Sequence, residues 1–341
     1  MIRLDYLDHP LVIKSLRVKY RGGRLAMLAG CYVLLLLAGL MIMQRFSLDV
    51  GGPMWIRNYF IGMISLQMLI SAVIAMSATA SSMQSKVTSR TLDLQRIAGL
   101  SPAQIILGKA FGEPTSAYLF SLVTIPIAAI CCTIGGVNIF IAVLMYLTLA
   151  TTTFMMACLG LLNHLDSAKK SDGASRGMLV VVLVPVLIAQ TSMAGTTGFH
   201  RGITAAIGLL TPAPAIQAMI VPNNPTGWNA WSAGLPFFDT QVPFLILTSL
   251  VQLTVSACVI STMARRLAAV TQTSLSKVMT YSLLIVDDVL WTGLYFDTIQ
   301  TGADLTANAI LFAAVHSVFV LILSMLATPD RESYLSWIWR F

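Results

Sequence analysis

The chain has 341 residues, of which 57% are hydrophobic and only 10% charged, and it carries a formal net charge of +7. Soluble domains run nearer a quarter charged, by rough average, so a globule solvated by water on all sides is excluded. Lipid removes the need for a polar surface, and the unit of organisation becomes the membrane span of about 20 apolar residues.

The first 24 residues carry six basic side chains, Arg3, Lys14, Arg17, Lys19, Arg21 and Arg24. The apolar run behind them is too long for a cleaved signal and lacks a small-residue cleavage site, so it reads as a first span that stays in place. Between Pro10 and Arg24, apolar Leu11, Val12, Ile13, Leu16 and Tyr20 alternate with the basic residues. This segment can lie in the headgroup plane as an amphipathic helix. A plain positive flank that only sets topology is the other reading.

Spans are then expected at 25–43, 59–80, 117–134, 139–162, 178–194 and 242–264, with Gly135, Gly136 and Asn138 turning the chain between the third and fourth. Pro212 and Pro214 break the apolar stretch 203–221, which reads as a re-entrant or interfacial hairpin within an outer region 198–241. Two further spans are expected at 279–295 and 307–327. The first of them carries Asp287 and Asp288. With both termini on the cytoplasmic side, the inner segments hold 18 of the 21 Lys and Arg residues, leaving Arg45, Arg57 and Arg201 outside. The positive-inside rule selects this eight-span orientation. Because the charge follows topology and forms no single patch, it points to anionic lipid and not to nucleic acid.

Catalytic motifs are absent. Gly108-Lys109-Ala110 lacks the upstream Gly and the following Ser/Thr of a phosphate-binding loop. No nucleophile elbow or zincin helix occurs. Cys31, Cys131, Cys132, Cys158 and Cys258 fall inside spans without metal-ligand spacing and read as small buried apolar residues. His9, His164, His200 and His316 are scattered, so no metal site is expected, and His316 in the last span reads as a buried polar contact. Asp287 and Asp288 are intramembrane polar candidates. Adjacent helix positions diverge by about 100°, which is expected to keep them out of one common groove. They read either as a polar lining or a salt-bridge partner within the bundle, or as a wet pair on a broken, tilted or interfacial segment.

The loop 81–113 is more ordered than a linker needs. Leu92, Ile97 and Leu100 mark a short amphipathic helix that Gly99 closes, and Ser101-Pro102 opens a second, with Ser as cap and Pro at its first position. A helix–break–helix there suits docking.

These two elements resemble permease subunits of ATP-binding-cassette (ABC) transporters, of the bacterial export-type family called type two or type V. The family's "NP-x-x-x-KE-x-R" segment stands here as His9-Pro10-Leu-Val-Ile-Lys14-Ser15-Leu-Arg17, with Ser15 where an acidic residue is usual. Its coupling loop, roughly "GTLE-x-LL-x-x-PLS-x-x-x-I-x-x-GK", is matched by Thr91-Leu92-Asp93, Gly99-Leu100-Ser101-Pro102, Ile105 or Ile106, and Gly108-Lys109. Arg90 replaces the family's Gly, and Pro102 follows Ser101 where many members place Pro before the Leu. The resemblance covers about residues 9–265.

It implies an all-α polytopic protein with a basic interfacial helix at 1–24 and a six-span permease core at 25–265. Two extra C-terminal spans and a tail at 266–341 lie beyond that core. It further implies a second permease subunit and cytoplasmic ATPase subunits that hold the ATP and magnesium. The partner ATPase would grip Thr91, Leu92, Asp93, Leu94, Gln95, Arg96, Gly99, Leu100, Ser101 and Pro102. The setting would be a bacterial plasma membrane, and the cargo, most often exported, would be lipid-like or amphipathic given the sparse polar residues in the spans. A scaffold that anchors an ATPase without transporting, and an intramembrane enzyme using Asp287, are the alternatives.

Overall fold

Charge-free runs of Leu, Ile, Ala and Met become helices because, away from water, each backbone amide must find its partner within its own segment. The computed structural model describes residues 23–46, 54–88, 101–165, 235–238, 240–268 and 276–301. It also describes Ile13, Arg17, Ala313, His316, Ser317, Val320, Leu321, Leu323 and Ser324. The helices are α1 (Arg24–Phe46), α2 (Met54–Thr88), α3 (Pro102–Gly112), α4 (Thr115–Gly135), α5 (Ile139–Leu165), α6 (Phe244–Ala268) and α7 (Lys277–Thr301). Strands β1 (Leu235–Phe237) and β2 (Thr240–Val242) form an antiparallel hairpin ahead of α6. Five of these helices, all but α3 and α7, are long and apolar enough to cross a bilayer. The chain is a helical, multi-pass membrane protein, and large aliphatic side chains such as Leu34, Met41, Leu122, Ile139 and Leu250 point outward where lipid would meet them.

Local chemistry sets the boundaries. Gly136 ends α4 in the left-handed region (φ 66°), a conformation glycine adopts without penalty, and its N–H closes on the Cys132 carbonyl. Asn138 then accepts a hydrogen bond from the Phe140 N–H at 2.9 Å and starts α5. The expected end of the second span at Ala80 needs correction. α2 runs on to Thr88, so the region expected to open as a loop at Ser81 begins as helix. No Gly or Pro interrupts Ser81–Thr88, and Met83 gains an apolar seat that rewards continuing. At 35 residues the helix is about 52 Å long at ~1.5 Å per residue, well beyond the roughly 30 Å hydrocarbon layer. α7 is a single unbroken helix through Asp287 and Asp288, which removes the reading of that segment as broken.

The core has two ends. At one, Leu36 of α1, Phe60 and Ile64 of α2, Cys131 of α4, Met145 and Leu149 of α5, and Leu245 of α6 cluster together. At the other, Met83, Leu161, Met263 and Leu267 from the C-terminal ends of α2, α5 and α6 close around Ile106 and Ala110 of α3. Those three long helices therefore run in the same direction. Between the ends, α2 and α5 approach closely at Gly160, where a Cβ would stand 2.5 Å from the Met76 carbonyl oxygen. The hairpin caps the side of α7, with the Phe238 N–H donating to the Gly293 carbonyl and the Phe237 ring lying on Gly293.

The segments expected at 178–194 and 203–221, residues 89–100 of the loop expected to dock a partner, most of the span expected at 307–327, and Lys14, Lys19 and Arg21 lie outside the described residues. Arg17 is helical and exposed.

Candidate functional site

Three arrangements of polar side chains stand out, and the first is the seat of α3. Ser101 caps the helix as its sequence suggests, and it does so as a full capping box. Its hydroxyl accepts from the Gln104 N–H, while the Gln104 side chain accepts from the Ser101 N–H at 3.0 Å. Pro102 occupies the first turn. Ile105, Ile106, Lys109 and Ala110 are all buried. The Lys109 ammonium lies 3.1 Å from the Met83 thioether, and Ser82 donates to Glu113 at 2.6 Å, so the end of α2 is tied both to α3 and to the turn that leads out of it. Of the residues expected to meet a partner ATPase, Ser101 and Pro102 are described, at the N-terminal end of α3, with Ser101 exposed. Thr91, Leu92, Asp93, Leu94, Gln95, Arg96, Gly99 and Leu100 lie outside the described residues.

The second is a buried polar seam. Thr124 of α4 donates to Gln67 of α2 at 2.8 Å and contacts the Tyr146 hydroxyl of α5 at 2.9 Å. Thr151 and Thr152 of α5 both donate to Oε1 of Gln252 on α6, at 2.7 and 3.1 Å, and Thr148 meets Ser249 at 3.2 Å. Among the described residues, Gln67 Nε2, Ser71 Oγ and Thr248 Oγ1 are buried without a hydrogen-bond partner. This seam is richer than the sparse polar content expected of the spans. Its signal lies in the spacing: Thr148, Thr151 and Thr152 share one face of α5, and Ser249, Gln252 and Ser256 one face of α6.

The effect of removing the central acceptor can be stated. Thr151 and Thr152 each also bond the Thr148 carbonyl, at 3.0 and 2.7 Å, so neither hydroxyl is stranded when the amide goes. The loss of these two bonds in Gln252→Leu should therefore cost about 1 kcal/mol, in the range of interhelical hydrogen bonds within membranes. Thermal unfolding in detergent of Gln252→Leu, Thr151→Val and the double variant isolates that share, and a coupling near zero would mean that the Thr151 bond contributes nothing.

The third arrangement corrects an expectation. Asp287 and Asp288 do converge on one point: His316 Nδ1 lies 3.0 Å from Asp287 Oδ2 and 3.5 Å from Asp288 Oδ1. The ~100° between adjacent helix positions separates Cβ directions, but a carboxylate has two further torsions with which to turn back. The imidazole also comes from the C-terminal helical residues, from a side where it can meet both. His316 is thus a polar contact, as its position suggests, and it stands beside two carboxylates of α7. Asp287 and His316 are partly buried and Asp288 is 54% exposed.

The cysteines carry no such pattern. All five are free thiols, with Cys131, Cys132 and Cys158 buried in helix contacts. Comparison with known proteins finds no matching family model, and neither a curated relative nor a solved structure matches the chain.

Proposed function

We propose that the chain is the transmembrane permease subunit of an ATP-driven ABC transporter, paired with a second permease subunit and powered by a separate cytoplasmic ATPase that binds the ATP and magnesium. The observation that carries this reading is the seat of α3. A capped helix, continuous with the segment that resembles a coupling loop, is wedged among the C-terminal ends of α2, α5 and α6. A push on residues 91–102 would reach three long helices through one buried contact. A flexible linker would dissipate it.

The course of α7 supports the larger span count. It starts after α6 ends and carries Gly293 back to the hairpin that precedes α6, about 24 Å along the axis from Lys277 at ~1.5 Å per residue. The uncharged hydroxyls and amides of the seam suit an amphipathic or neutral cargo better than an ion. Unpaired donors such as Gln67 Nε2 can find new partners when the spans shift.

The test is co-purification followed by function. The chain, expressed with its genomic neighbours, should bring down an ATPase subunit, and Leu92→Asp should reduce both the association and the transport-coupled ATPase activity by at least about tenfold. If no ATPase associates and Leu92→Asp changes nothing, the proposal is wrong. One observation favours the scaffold reading: α2 and α5 touch with no room for a Cβ at Gly160, so this crossing is closely packed. An ATPase that binds normally while no candidate cargo crosses proteoliposomes would decide for the scaffold.

A further inference from the structure

We propose that Asp287, Asp288 and His316 form a binding site for a divalent transition cation of the zinc class, which staples α7 to the C-terminal helical segment. This inference is independent of the transport reading. It starts from the convergence of three side chains, two from one helix and one from a residue 29 positions away, whose potential ligand atoms all lie within 4.8 Å of one another.

The donor count leaves room for an ion. An imidazole Nδ1 carries at most one hydrogen. It can donate to Asp287 at 3.0 Å, but then it has nothing left for Asp288 at 3.5 Å. A proton satisfies one carboxylate of the pair that faces this nitrogen. A metal ion between the three atoms satisfies both carboxylates and the nitrogen's lone pair together.

Distances agree. Zinc sits about 2.0–2.2 Å from nitrogen and carboxylate oxygen, so two ligands of a tetrahedral site stand about 3.3–3.5 Å apart. The two separations from the imidazole, 3.0 and 3.5 Å, lie around that value, and the two carboxylate oxygens, within 4.8 Å of one another, close on the ion by side-chain rotation.

Chemistry and setting narrow the ion. One imidazole with two carboxylates suits a borderline divalent metal, whereas magnesium and calcium favour all-oxygen shells. Two carboxylates and a neutral imidazole around a divalent cation sum to zero charge. That matters beside Ile285, Val286, Val289 and Leu290, which offer no solvation to ions. Three protein ligands leave a fourth position, on the side where Asp288 is exposed.

The experiment uses the full-length chain in detergent, stripped with a chelator and titrated with Co²⁺ as a spectroscopic substitute for Zn²⁺. One Co²⁺ per chain should bind, with the visible absorption of a four-coordinate ion, and Zn²⁺ should displace it. His316→Ala and Asp287→Asn should each weaken binding by more than the roughly 10–100-fold that outer-shell changes cost. His316→Cys should keep the site and add a thiolate-to-cobalt charge-transfer band. A structural hydrogen bond cannot produce that band, and the variant does not depend on His316→Ala folding. The proposal is overturned if wild type shows no cobalt spectrum, if binding is unchanged in His316→Ala and Asp287→Asn, or if His316→Cys gives no charge-transfer band.

Discussion

Gly160→Ala is expected to lower the stability of the chain by about 1–3 kcal/mol, the usual cost of overpacking a tight contact, and Gly160→Leu to prevent the bundle from assembling. A Cβ at this position falls onto Thr79 Oγ1, 2.5 Å from the Met76 carbonyl oxygen and 3.1 Å from the Met76 Cα. Two of those atoms are backbone of α2, which cannot turn aside. The Thr79 hydroxyl is committed to the carbonyls of Ala75 and Met76, at 2.8 and 3.1 Å, so swinging it away breaks both bonds. Relief must come from moving α2 off α5, and that opens the packing of Ala75, Met76, Met155 and Ala157 around it. In lipid, helix pairs are held by such close packing, since burial from water contributes nothing there. Gly62 supplies the control. It lies on the same helix α2, and a Cβ added there would meet nothing within 4 Å, so Gly62→Ala should be neutral or slightly stabilising. Thermal midpoints in one detergent compare the two. Equal shifts for Gly160→Ala and Gly62→Ala would remove the close approach as the cause.

What could be read from the sequence was what neighbours in sequence decide. Charge-free runs marked the spans because lipid forbids unpaired backbone. The Gly135-Gly136 turn and the Ser101-Pro102 start were legible because each rests on one or two residues with special backbone or side-chain chemistry. The capping partner Gln104 stands three residues after Ser101 and could have been named from spacing alone. The end of α2 was misplaced because Ser81–Thr88 is polar enough to pass for loop, while its helicity depends on Met83 finding a seat against α3. The hairpin at 235–242 was missed because Pro236 spoils the strand pattern, and a short β ribbon packed on α7 needs α7 in place first. The convergence of Asp287, Asp288 and His316 was beyond reach for the same reason. Each residue was visible as a costly polar group, but which helix faces which is a tertiary fact that no local spacing encodes.

If the chain is the proposed permease, Ile106→Asp is expected to disconnect the ATPase from the spans, abolishing transport while leaving the chain able to hold its partner. Ile106 is 1% exposed and sits against the cluster that joins α3 to Met83, Leu161, Met263 and Leu267. A carboxylate there meets only the Lys109 ammonium three residues on, and burying that pair in an apolar seat still costs several kcal/mol, so α3 should leave its seat and not carry the charge inside. The start of the helix does not depend on the seat. Its start is fixed by the reciprocal Ser101–Gln104 bonds, which involve none of the buried residues. The proposed docking segment 91–102 then still adjoins the capped start of α3, but its connection to α2, α5 and α6 is lost. A graded series separates this from general damage. Ile106→Val should cost about 0.5–1.5 kcal/mol and leave transport near normal, and Ile106→Ala about 2–5 kcal/mol with partial loss. Along that series, cargo moved per ATP hydrolysed should fall while the amount of co-purifying ATPase stays level. If the thermal midpoint drops as expected but the ratio of cargo to ATP holds, force reaches the spans by another contact and α3 is only a structural plug. If ATPase binding falls in step with transport, α3 belongs to the docking surface itself and not to the lever behind it.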